Sequence, residues 1–71
     1  MELEGQLTEI IYQNEANSYL IGILENEEDT ITVVGYMPFV VEGDYIKVIG
    51  NFVVHREYGK QFKVETFEKV M

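Results

Sequence analysis

Residues 37 to 44 read MPFVVEGD and hold the only Pro of the chain, followed by Glu42, Gly43 and Asp44. Pro removes a backbone donor and Gly admits a positive φ, so this octet ends a strand rather than carrying one through. It is the longest stretch without strand alternation, and it has room for one helical turn at most. On either side, β-branched and aromatic residues come in short runs separated by turn signals, and no long amphipathic helical period occurs. The octet therefore reads as a crossover that takes the chain from one sheet edge to another.

Upstream of the crossover the pattern gives three strands in meander. Leu3, Gly5 and Leu7 alternate with Glu2, Glu4, Gln6 and Thr8, the period of a strand with one buried face, and this strand runs to about Gln13. The alternation slips at the consecutive Ile10, Ile11 and Tyr12, and Gly5 marks a bend or close approach, so the first strand is expected to be bent and bulged. Asn14 to Ser18 forms a turn cluster, Tyr19 to Leu24 a second strand, Glu25 to Asp29 an acidic turn, and Thr30 to Tyr36 a third strand. Downstream, Ile46, Val48, Gly50, Phe52 and Val54 alternate with Tyr45, Lys47, Ile49, Asn51 and Val53 as a long fourth strand. Arg56 to Lys60 reads as a hairpin loop with Gly59 at positive φ, and Gln61 to Phe67 as a fifth strand with Phe62 and Val64 on one face. Meander, crossover and hairpin, in that order, are the plan of an all-β, five-stranded OB-fold-like barrel. An SH3-like barrel has similar length and strand number, and the long crossover between strands three and four favours the OB plan.

At 71 residues and 8.3 kDa the chain allows a single domain over residues 1–71. An apolar fraction of 46% with one Pro fits a folded chain. The absence of Cys excludes a disulfide framework and a thiolate zinc site. The longest apolar run, Met37 to Val41, is far below the ~20 residues that span a bilayer, and no secretory signal opens the chain. A cytoplasmic protein without membrane contact is the expectation. The net charge of −8 is unevenly placed: residues 1 to 46 carry ten carboxylates and no Lys or Arg, and the remaining 25 carry all five cations against Glu57, Glu65 and Glu68. Such a balance repels phosphate backbones at long range and leaves room only for a local basic patch.

No phosphate-binding Gly-Lys-Ser/Thr loop, Gly-x-Gly-x-x-Gly or Gly-x-Ser-x-Gly occurs, so catalysis within this chain has no sequence support. Glu25, Glu27, Glu28 and Asp29 lack calcium-loop spacing, and a lone His55 without Cys builds no usual zinc site, so neither catalytic residue, metal nor cofactor is assigned here. The segment with a functional look is the fourth-to-fifth hairpin, where His55, Arg56, Tyr58, Lys60, Phe62 and Lys63 interleave cations and aromatics. Single strands are gripped by that combination, bases stacking on rings while cations follow phosphates. With Lys47, the candidate DNA contacts are His55, Arg56, Tyr58, Lys60 and Lys63; the bland reading makes Phe62 core and the cations solubilising. Tyr12, Tyr19, Tyr36 and Tyr45 are either platform residues or ordinary barrel-rim tyrosines.

The stretches IIYQNEANSYLIGIL (10 to 24), TVVGYMPFVVEGDYIKVIGNFVVH (32 to 55) and EYGKQFKVE (57 to 65) resemble the N-terminal domain of bacterial RecD-like DNA helicases, the exodeoxyribonuclease V alpha-chain-like family. Asn14-Glu15, Asn17, Tyr19, Val34-Gly35, Pro38, Gly43-Asp44, Gly50, His55, Tyr58-Gly59 and Gln61-Phe62 carry the match in order and at kept spacing. Phe52 stands where that family often has Trp, and Ser18 where it often has Gly, a change that bears on the turn before the second strand. The resemblance implies an OB-like barrel excised from the front of a large helicase that moves 5′ to 3′ on single-stranded DNA, acting in recombination and repair. ATP and magnesium would belong to motor domains beyond residue 71. It implies partners among the other domains of the same helicase. Two roles remain: an accessory barrel contacting single-stranded DNA through the basic and aromatic hairpin, or a scaffold whose acidic surface docks on another protein domain.

Overall fold

The alternating runs become five strands in a computed structural model that describes residues 1–57 and 59–70: β1 (Glu2–Asn14), β2 (Tyr19–Glu25), β3 (Thr30–Tyr36), β4 (Tyr45–His55) and β5 (Gly59–Lys69). They close into a barrel in the order β1-β2-β3-β5-β4, antiparallel throughout except for the parallel contact of β3 with β5 at Val33 with Phe62 and Val34 with Lys63. The arrangement is the OB plan expected from the crossover.

β1 is the strand both sides of the barrel share. Its first half pairs with β4, from Glu2 opposite Ile49 to Gln6 opposite Tyr45, and its second half pairs with β2, from Gln6 opposite Glu25 to Asn14 opposite Tyr19. The register slips between Leu7 and Glu9 and again between Ile10 and Tyr12, where the sequence pattern also slips. Gly5 sits at the bend: a Cβ there would lie 2.5 Å from the Glu25 carbonyl oxygen and 3.3 Å from Asn26 Cβ. That is the close approach the sequence indicated.

Inward-facing positions from every strand fill the interior. Leu7, Leu20, Leu24, Val33, Ile46, Val48 and Phe62 are fully buried, and each contributes about 1.5–3 kcal/mol of burial. Met37 and Val40 of the crossover are fully buried in the same cluster. The crossover holds two tight turns and no helix. It is stitched to β1: Gly43 N–H donates to the Leu7 carbonyl at 2.7 Å and Leu7 N–H to the Asp44 carbonyl at 2.8 Å. Glu42 accepts from Ile10 N–H at 2.8 Å, and Asp44 accepts from Val41 N–H at 3.0 Å.

The last hairpin differs in detail from the sequence reading, whereas the turn before β2 keeps its expected place. β5 starts at Gly59 rather than Gln61, because His55 pairs with Gly59 and Val54 with Lys60 across a tighter hairpin closed by Gly59 at φ 78°. Ser18 adopts φ 65°, the left-handed conformation a Gly would take at this turn, and its carbonyl accepts from Met37 N–H. Asn14 and Asn17 support the turn by accepting from the N–H groups two residues on, at Ala16 and Tyr19.

Candidate nucleic-acid interface

Strand parity decides where each candidate side chain goes. β1, β2, β3 and the start of β5 present one outer face. By register, Tyr12 pairs with Ile21, Ile21 with Val34, Val34 with Lys63, and Lys63 with Asn51 of β4. A groove of about 400 Å³ runs across it, lined by Ile11, Tyr12, Ile21, Thr32 and Gln61. Beside it Tyr19 and Tyr36 meet edge to face at 5.3 Å between ring centres, with Tyr36 well exposed. Rings, branched aliphatics, one hydroxyl and one amide thus line the surface, and the carboxylates in register with it on β1 and β2 are Glu9, opposite Ile23, and Glu25, opposite Thr30.

The sequence-derived contacts do not converge on one spot. Lys63 lies on the groove face. Lys60 turns to the end of the barrel, 4.3 Å above the Phe52 ring, and lines a second depression with Glu28 and Asp29 of the β2–β3 turn. Arg56 is exposed in the turn after β4. His55 ends β4, its Nδ1 accepting from Glu57 N–H at 3.1 Å. Lys47 lies on the opposite face, 3.3 Å from Glu68 and 3.8 Å from Glu2. The Glu68 hydrogen bond, then the charges of Glu2, Glu68 and Glu4, hold its ammonium above the ordinary lysine range. Tyr58 lies outside the described residues. Phe62 is core, packed edge to face on Phe52 at 5.1 Å.

Among the described residues the ion pairs engage Lys47 and Lys69, and Arg56, Lys60 and Lys63 enter none. These three therefore keep their charge available to an anion, whereas Lys47 is already neutralised. Sequence reasoning singled out Tyr12 but missed Ile11, Ile21, Thr32 and Gln61, since neither a ring nor a charge marks them. The slip at Ile10 to Tyr12 was their one signal, because a bulge re-aims side chains.

A closed five-stranded barrel in the order β1-β2-β3-β5-β4, whose third and fifth strands run parallel, defines the class of OB-fold domains. Over residues 1–71 the sequence matches the family described as the OB-fold domain of ATP-dependent DNA helicase YrrC, and the chain belongs to that family. It is an OB domain of a DNA helicase family. Among the described residues no helix is long and apolar enough to cross a membrane.

Proposed function

We propose that the chain is a non-catalytic accessory domain at the N-terminal end of a RecD-like, 5′-to-3′ DNA helicase of exodeoxyribonuclease V alpha type, acting in DNA recombination and repair in the cytoplasm. The domain contacts single-stranded DNA weakly along the groove face. ATP and magnesium are taken up by the motor domains of the same protein. The observation that supports DNA contact is the groove of Ile11, Tyr12, Ile21, Thr32 and Gln61 on the face that carries Lys63, with Arg56 exposed at the hairpin and neither cation in an ion pair among the described residues. Bases stack on aromatic platforms without regard to sequence, and two or three cations hold as many phosphates. The amide of Gln61 and hydroxyl of Thr32 offer donors and acceptors to base edges. The −8 net charge opposes approach, which keeps the affinity low and leaves loading to the motor.

The test is a titration of the 71-residue chain against a fluorescent single-stranded oligonucleotide at low and moderate salt, beside Tyr12→Ala and the Arg56→Ala, Lys63→Ala double variant. Binding that weakens with salt and is lost in both variants supports the reading. No binding at low salt removes direct DNA contact and leaves docking of the acidic surface on another protein domain.

A further inference from the structure

The crossover displays an aromatic ring in a backbone conformation that aromatic residues avoid. Phe39 has φ 67° and 86% of its surface exposed, while Met37 and Val40, two residues before and one after, are fully buried. A turn with Pro at its second position and positive φ at its third is the natural place for Gly, which has no Cβ to clash, or for Asn, whose short polar side chain bonds locally. Burial of Met37 and Val40 explains why residue 39 points outward. It does not explain a large apolar ring there, since stability alone is better served by a small residue. Val41, 57% exposed, extends the apolar surface.

The ring stands on a fixed frame. Met37 N–H is bonded to Ser18, Val41 N–H to the Asp44 carboxylate, Gly43 N–H to Leu7, and Glu42 to Ile10 N–H. A knob held this way loses little further freedom on binding. The frame itself is acidic: the turn and loop joined by these bonds carry Glu15, Glu42 and Asp44, and Lys69 pairs with Asp44 at 3.2 Å. That charge selects the occupant. A second copy would set these carboxylates against themselves and −8 against −8, and nucleic acid or an anionic bilayer is repelled in the same way. A protein surface with an apolar socket bordered by Lys and Arg complements both the ring and the acidic frame that carries it.

We propose that Phe39, with Val41, is the docking knob by which this domain seats in an apolar, Lys/Arg-bordered socket on another domain of the same helicase. The proposal rests on membership in the helicase family and is independent of DNA contact by the groove face. It is tested in the intact helicase by placing a photoreactive benzophenone side chain at position 39, with position 54, equally exposed on β4, as the control. Crosslinks from position 39, and not from position 54, to another domain of the same polypeptide at an apolar segment flanked by Lys or Arg are expected. Crosslinks to a second copy, to DNA or to nothing overturn it. Phe39→Gly relieves the positive φ and therefore folds, so it supplies a second arm. It is expected to release the domain at least tenfold faster under limited proteolysis of the helicase, while single-stranded DNA binding by the 71-residue chain is unchanged. Release at the wild-type rate also overturns the proposal.

Discussion

Where β1 pairs with β4, Lys47 sits among Glu2, Glu4 and Glu68; where β1 pairs with β2, Tyr12 and Ile21 open onto a groove that no ion pair crosses among the described residues. The two surfaces use the same strand, the first half facing one way and the second half another after two register slips. Net charge taken over the whole chain describes the first surface and misdescribes the second. A cation on the first surface solubilises and neutralises, whereas a cation on the second remains open to a phosphate. The position of a lysine relative to the bend in β1 therefore matters more than its presence in the sequence.

The largest expected effect comes from breaking the bend that separates the surfaces. Gly5→Ala forces a Cβ against the Glu25 carbonyl, with an expected loss of about 1–3 kcal/mol. For a domain of this size that lowers Tm by roughly 5–20 °C, measured by thermal denaturation followed by circular dichroism. A Tm within a degree or two of wild type would show that the approach of β1 to β2 is looser than described.

Next in size is the contrast between surfaces in DNA binding. Tyr12→Ala is expected to cost about 1–3 kcal/mol of oligonucleotide affinity, the worth of one stacked base. Lys47→Ala should leave affinity unchanged, because its charge is already spent on Glu2 and Glu68. Equal losses in the two variants would erase the distinction between the two surfaces. Glu9→Gln, which removes the carboxylate opposite Ile23, should strengthen binding several-fold at low salt, on the order of the ~1 kcal/mol of one near-surface charge contact.

A smaller effect sharpens the view of the turn leading into β2. Ser18→Gly places the permissive residue at φ 65°, and about 0.4–1 kcal/mol of added stability is expected, read from the urea midpoint. A lower midpoint would mean that the Ser18 side chain contributes more than its backbone strain costs.

The least effect is pH dependence. The Val41 N–H bond, followed by Lys69, holds the Asp44 carboxyl below its ordinary 3.8 despite some desolvation. Its contribution is complete above that ordinary value and is lost as pH falls through the lower folded value. Lys47 behaves oppositely: its contribution is present below 10.5 and fades as pH rises through its raised folded value. Asp44→Asn should flatten the acid limb of a Tm–pH curve while leaving the alkaline limb in place.

Strand existence was legible because period-two burial is written directly in the residues, from Leu3, Gly5 and Leu7 through Ile46, Val48 and Phe52. Gly5 and the slip at Ile10 to Tyr12 were legible for the same reason. The start of β5 was not, since the pairing of Val54 with Lys60 depends on how tightly the hairpin closes. That difference of two residues carries into the site. Once Lys60 and Lys63 are both within one strand, their spacing of three puts them on opposite faces, one over Phe52 and the other on the groove. Gln61 was not assigned to the site because an amide at 7% exposure announces itself neither as core nor as ligand until its neighbours are known.

The pairing of Glu2 with Ile49 sets a schedule for the barrel's assembly. As the chain leaves the ribosome, the first half of β1 waits for β4, and at ~5–20 residues per second the wait is ~2–10 s. An unpaired strand edge held open for that long invites pairing with neighbouring nascent chains. Glu2 and Glu4 charge that edge, and Lys47 reaches their surface only when β4 arrives. Like charges at Glu2 and Glu4 disfavour such pairing between two copies of this edge until β4 covers it.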